Sequence, residues 1–206
     1  MSFIKNLNWR YATKEFDGRK ISEENLNKIL EAIRLAPSSF GIQPYRITVV
    51  GNDEIKKNLN SHAFWDQKQI ATCSHALVFN DDLDFPKRAN DFVALAEREG
   101  RDDITNDPEF DYAKEAADYA VRMGVGWATK QTYLALGFAM AACAELKIDS
   151  CPMESIDLTS IKKLLGLSDN LEPKVVLAIG YRSPKDLHVK DKKLRFGKED
   201  LFDSKK

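Results

Sequence analysis

The stretch at 127–146 constrains this chain most. Trp127, Ala128, Tyr133, Leu134, Leu136, Phe138, Met140, Ala141, Ala142 and Cys143 place apolar groups on nearly every side of a helix. A helix without a polar face must be covered all round, in a core or at a contact between subunits. Its apolar run at 134–144 is broken by Gly137 and falls well short of the about 20 residues that cross a bilayer. The spacing therefore predicts a buried helix, and the remaining elements must be arranged around it.

A second constraint is the run at 174–181, Lys-Val-Val-Leu-Ala-Ile-Gly-Tyr, which is continuous and apolar as a central strand should be. Residues 45–50 and 75–79 are rich in β-branched and apolar side chains and read as two further strands. Helices are predicted at 2–11, after Ser22 as N-cap, after Asn52, around Phe92–Leu95–Ala96, through Tyr112 and Tyr119, and at 158–165 with Gly166 as the stop. Residues 101–108 read as a charged break. There is no repeat and no linker, so 1–206 is expected to be one α+β domain, a small central sheet flanked by helices. The tail beyond Arg182 is mostly charged, yet it carries Leu187, Val189, Leu194, Phe196, Leu201 and Phe202. Such residues predict an arm that docks, with a partner subunit as one possible surface.

A formal net charge of -1 gives no electrostatic case for nucleic acid or an acidic membrane. Residues 1–8 are too polar and too short for a secretory signal. Three cysteines, Cys73, Cys143 and Cys151, are odd in number and widely spaced, which argues against a disulfide framework and fits a cytoplasmic protein. Scattered histidines and the lack of Cys-x-x-Cys predict no metal site. Gly-x-Gly-x-x-Gly, the Gly-Lys-Ser/Thr phosphate loop and Gly-x-Ser-x-Gly are all missing.

Residues able to bind a small anionic ligand lie at the two ends of the chain. Arg10 and Lys14 share a helix face if that segment is helical, and Lys193 and Arg195 form a second basic pair. Between them, Pro37-Ser38-Ser39-Phe40-Gly41-Ile42-Gln43-Pro44 offers hydroxyls and backbone N–H groups after a helix. Taken singly, the basic pairs read first as solvated edges, and the Pro-Ser-Ser segment as a helix stop and loop. Glu154, in Pro152-Met153-Glu154-Ser155 after the long helix, either orients a ligand or is an exposed loop acid.

Taken in order, the segments 10–16, 37–45, 66–69 before 74–79, 127–137, 151–154 and 193–195 resemble the FMN-dependent nitroreductase family, in particular its oxygen-insensitive NAD(P)H nitroreductase and dihydropteridine reductase-like members. The resemblance spans nearly the whole chain. It implies a homodimer with two FMN sites between subunits and a C-terminal arm exchanged between them. Arg10, Lys193 and Arg195 would hold the FMN phosphate, with Tyr11 and Ala12 in the same segment. Lys14 would lie at the N1–C2=O edge of the flavin and, with Glu154, make up the catalytic pair. Pro37, Ser38, Ser39 and Gly41 would come from the other subunit to the ribityl chain and ring. Asp66 and Gln69 would address the pyrimidine edge, Gln131 and Leu134 would lie beside the cofactor, and Pro152, Met153, Glu154 and Ser155 would pack on one ring face. Tyr11 and Ala12 replace residues that are commonly polar in the family, Gly41 replaces a polar side chain, and Asp66 stands where Asn is usual. An ionised carboxylate there can only accept, which suits the flavin N3–H.

The implied activity is ping-pong transfer from NADH or NADPH to a flat acceptor such as a nitroaromatic, quinone or pteridine. An NAD(P)H:flavin reductase, or a flavin-binding protein without turnover, would use the same residues. A structural helical interaction protein would need only the buried helix and the tail.

Overall fold

The computed structural model describes residues 3–64, 67–107 and 110–205. In chain order the elements are α1 (Phe3–Trp9), α2 (Glu23–Arg34), β1 (Tyr45–Val50), α3 (Asp53–Ser61), α4 (Lys68–Thr72), β2 (His75–Asp82), α5 (Phe85–Arg98), α6 (Asp102–Thr105), α7 (Tyr112–Met123), α8 (Val125–Glu145), β3 (Asp149–Met153), α9 (Leu158–Leu164), β4 (Leu171–Gly180) and α10 (Lys198–Leu201). The four strands form one antiparallel sheet in the order β1-β2-β4-β3. The α+β class expected from the sequence is therefore the class observed. The charged break at 101–108 contains the short helix α6, and its Pro108 lies outside the described residues.

Strand alternation sorts the core into two layers. Leu77 and Phe79 of β2 and Val175, Leu177 and Ile179 of β4 face α2 and α8, meeting Ile29, Ile33, Ala135, Ala139 and Cys143. Ala76, Val78, Val176 and Ala178 point the other way, onto Leu59, Ile70 and Ile161 of α3, α4 and α9. Both faces of the two central strands are dry, which is why their sequences read as continuous apolar runs. A third cluster gathers Phe85, Ala89, Ala116, Ala120, Trp127 and Ala128 where α5 and α7 meet the start of α8.

Helix starts follow the sequence closely. Ser22 accepts from the Asn25 N–H at 3.3 Å, and Asn52 accepts from Glu54 and Ile55 at 2.9 and 3.1 Å. Helix α2 ends at Arg34 with Leu35 as its C-cap, two residues before Pro37. Residues 149–153, for which no strand is predicted, form the edge strand β3, with Pro152 opposite Leu177. A proline is tolerated there because an edge strand leaves one row of N–H positions unpaired.

The long helix is not covered all round within one chain. Ala128, Ala135, Ala139 and Cys143 are fully buried against the sheet, whereas Leu134 and Phe138 remain 46% and 41% exposed. Their side lines an almost wholly apolar groove of about 710 Å³ with Phe3, Tyr133, Gly137 and Ala141. Among the described residues no helix is long and apolar enough to cross a membrane.

Candidate functional site

The two ends of the chain meet. After α1, residues 12–17 run beside the ends of β3 and β4. Ala12 bridges to Ser150 and Phe16 to Arg182, and the Asp17 N–H donates to the Tyr181 carbonyl at 2.9 Å. Buried Asp149 accepts from the Arg182 N–H and Nε at 2.9 and 2.8 Å. The Arg182 guanidinium is then held between two rings, 4.4 Å from the Trp9 centroid and 4.7 Å from that of Tyr11. The alternating rings on either side of Arg10 fix that stretch of backbone. Arg10 is directed into a cleft of about 550 Å³ that also presents Tyr11, Ala12, Lys14, Lys193 and Arg195.

The electrostatics of this cleft are one-sided. Among the described residues, none of Arg10, Lys14, Lys193 or Arg195 is in an ion pair. The cleft's acid, Asp191, engages the His188 ring at 2.8 Å. Arg10 Nε is buried and has no hydrogen-bond partner among the described residues. Burial, and then the neighbouring charge of Arg195, lower the pKa of Arg10. Burial, Arg10 and Arg195 act in the same direction on Lys193. Arg10 and Lys193 thus hold their charges against burial and like neighbours, and an anion seated beside them would relieve both. Lys193 also donates to the carbonyls of Leu7 and Arg10, so the returning tail is fastened to the end of α1.

A second group lies next to Lys14. Cys151 of β3 is buried, and its thiol pKa is raised by that burial while Lys14 and the Gln69 side chain act to lower it. Gln69, on α4, is itself buried and donates to Gln67 Oε1 at 2.6 Å. Pro152 and Met153 follow in β3, with Met153 facing the core, and Ser155 accepts from the Phe64 N–H at 3.1 Å. Glu154 is exposed and accepts from the Tyr133 hydroxyl. Burial and that carboxylate together raise the Tyr133 pKa. Asp66 lies outside the described residues.

Pro37, Ser38, Ser39 and Gly41 do not line the cleft of their own chain. Their loop is held from several sides. The Ser39 N–H donates to Gln131 Oε1 at 3.0 Å, Tyr112 OH to the Phe40 carbonyl at 2.9 Å, and Arg88 to the Ile42 and Gln43 carbonyls at 3.2 and 3.0 Å. Phe40, Gly41 and Gln43 have φ of 55°, 69° and 43°. A Cβ on Gly41 would stand 2.8 Å from the Phe92 ring. A side chain at this position would strain the backbone and displace the Phe92 ring, which fits the absence of a polar group there. Gln131 serves this loop and the Trp127 carbonyl, while Leu134 faces the apolar groove.

Sequence reasoning missed Asp149, Arg182, Asp186 and Tyr133. Arg182 and Asp186 sit in the charged tail and Asp149 opens the unpatterned β3, so neither the burial of the two acids nor the ring contacts of Arg182 leave a local signal. Tyr133 was read only as part of the apolar helix.

The profile described as "Nitroreductase family" matches residues 7–181. A Staphylococcus epidermidis protein named "Putative NAD(P)H nitroreductase SERP2086" is 36% identical over 203 residues, 92% of this chain and 91% of its own. The crystal structure of a Bacillus subtilis "putative nitroreductase ydfN" superposes with a TM-score of 0.86 at 23% identity, covering 98% of each chain. A Staphylococcus epidermidis structure titled "putative NAD(P)H:FMN oxidoreductase" also gives 0.86, at 25% identity, over 98% of this chain and 95% of the other. The fold and the matched span agree, and this chain belongs to the nitroreductase family.

Proposed function

We propose that the protein is an FMN-dependent NAD(P)H oxidoreductase that works as a homodimer on flat electron acceptors by a ping-pong cycle. The observation that supports it best is the convergence of Arg10, Lys14, Lys193 and Arg195 on one cleft, with no acidic partner for them among the described residues. A phosphate monoester answers both the crowded charge and the unpartnered Arg10 Nε. The donor set therefore fits FMN, with Arg10, Lys193 and Arg195 as the phosphate residues and Tyr11 and Ala12 supplying backbone between them.

When bound, FMN supplies the hydride and electron chemistry, and the protein supplies placement and charge. Lys14 is exposed and, among the described residues, in no ion pair, so it can offer a cation to negative charge that develops on the ring edge. Gln69 and Asp66 are assigned to the pyrimidine edge, and Pro152, Met153, Glu154 and Ser155 to one ring face. Glu154 enters this arrangement already hydrogen-bonded to Tyr133, which fixes its carboxylate against the end of β3. A second copy of the chain, seated on the apolar groove of α8, would cover Leu134 and Phe138 and bring Pro37, Ser38, Ser39 and Gly41 to the partner's cleft. The apolar residues of 187–202 suit an arm laid across that partner.

Retention of flavin tests the proposal. Purified protein loaded with FMN should leave a gel-filtration column yellow and dimeric. Flavin that exchanges freely and is consumed as a substrate would identify a flavin reductase instead, and protein that stays colourless at saturating FMN would refute the site.

A further inference from the structure

The cleft's two halves are set by one carboxylate that takes no part in the cationic cluster. Asp186 is 4% exposed although it lies in the charged tail. Its Oδ2 accepts from the Lys14 N–H at 2.7 Å, the Glu15 N–H at 3.3 Å and the Tyr11 hydroxyl at 3.0 Å. Its Oδ1 accepts from the His188 N–H at 3.0 Å and so caps the 3-10 turn Leu187–Lys190 that leads to Lys193 and Arg195. One side chain thus holds the backbone under Lys14 and the entry to the C-terminal basic pair. Burial works against the charged form, but hydrogen bonds from Lys14, His188, Tyr11 and Glu15 hold the carboxyl below its ordinary range.

We infer that Asp186 is a positioning residue that fixes the spacing between Lys14 and the Lys193–Arg195 pair, and through it both the affinity for the flavin phosphate and the charge presented to the flavin ring. This rests on the flavin-site reading above. The geometry gives it a sign that charge alone would not. Removing a negative group near a cationic cleft should, by Coulomb's law, tighten binding of an anion. Loss of positioning predicts the reverse.

The test uses full-length protein with FMN. Asp186→Asn keeps the shape but cannot accept on both sides of the carboxylate. Asp186→Ser can still cap the His188 N–H but cannot reach Lys14, Glu15 and Tyr11, and it serves if the first variant fails to fold. FMN dissociation constants should rise by about tenfold or more in each variant. At saturating FMN, anaerobic reduction by the preferred nicotinamide should slow by a similar factor, and the flavin midpoint potential should fall. Unchanged or tighter FMN binding would overturn the inference. So would a variant that loses only thermal stability while its saturated rate and potential match the wild type. If wild-type protein itself binds no FMN, the flavin-site reading fails first, and the positioning role falls with it.

Discussion

Lys193 donates its ammonium protons to the backbone carbonyl of Arg10, 183 residues away along the chain. The contact joins the return of the tail to the end of α1 and places two basic pairs around one cleft. The proposed phosphate site is therefore a product of the tertiary fold rather than of any local motif. Its residues should divide into those that hold the ligand and those that tune it.

Arg195→Ala and Lys14→Ala should affect different steps. Arg195 contributes charge at the phosphate end, so its loss should raise the FMN dissociation constant by about tenfold, with little change in rate once flavin is saturating. Lys14→Ala should leave most of the affinity and slow reduction at saturating FMN. Fluorescence titration and stopped-flow reduction measure the two separately. Wild-type values of both quantities in both variants would contradict the assignment.

The apolar groove on α8 predicts the oligomeric state. Phe138 is 41% exposed in the single chain, at the centre of a surface with almost no polar atoms. Phe138→Glu would place a charge where a second copy is proposed to sit. Sedimentation velocity should show a dimer for the wild type and a monomer for the variant, with flavin lost alongside.

A side chain at Gly41 should be destabilising. Its φ of 69° and the 2.8 Å approach of Phe92 to a built Cβ mean that Gly41→Ala must move either the loop or the ring. A cost of about 1–3 kcal/mol is expected, read as a shift in the urea midpoint.

The Tyr11–Asp186 hydrogen bond predicts opposite pH dependences at the two ends of the scale. The Tyr11 phenol is pushed up to about 12, by burial first and then by Asp186. Its contribution to stability is complete below about pH 10, the ordinary phenol value, and is lost as pH rises towards 12. Asp186 is shifted downward, so its contribution is present above about pH 3.9 and is lost as pH falls through its lower folded value. Tyr11→Phe should flatten the alkaline side of a plot of denaturation midpoint against pH and leave the acid side largely in place.

Much of the fold was legible because α8 and β4 advertise burial over long, continuous apolar runs. Ser22 and Asn52 marked helix starts because a capping side chain acts on neighbours in sequence. β3 was missed because Asp149-Ser150-Cys151-Pro152-Met153 has neither alternation nor β-branched residues; its pairing with β4 comes from its place at the sheet edge. For α8 the sequence left a core and a subunit contact as alternatives, since a surface proposed to meet another copy has the composition of a core. At the site, Arg10, Lys14, Lys193 and Arg195 could be picked out as charges. The carboxylates of Asp149 and Asp186 could not, because what distinguishes them is burial against partners more than 30 and more than 170 residues distant.

Anaerobic titration of the purified, FMN-loaded protein with NADH and with NADPH, followed by its visible spectrum, tests the central claim most directly. A retained flavin band that bleaches stoichiometrically with at least one nicotinamide, and returns when a quinone or nitroaromatic is added, is the predicted result. A protein that retains no flavin, or one whose bound flavin stays oxidised with both nicotinamides, would contradict it.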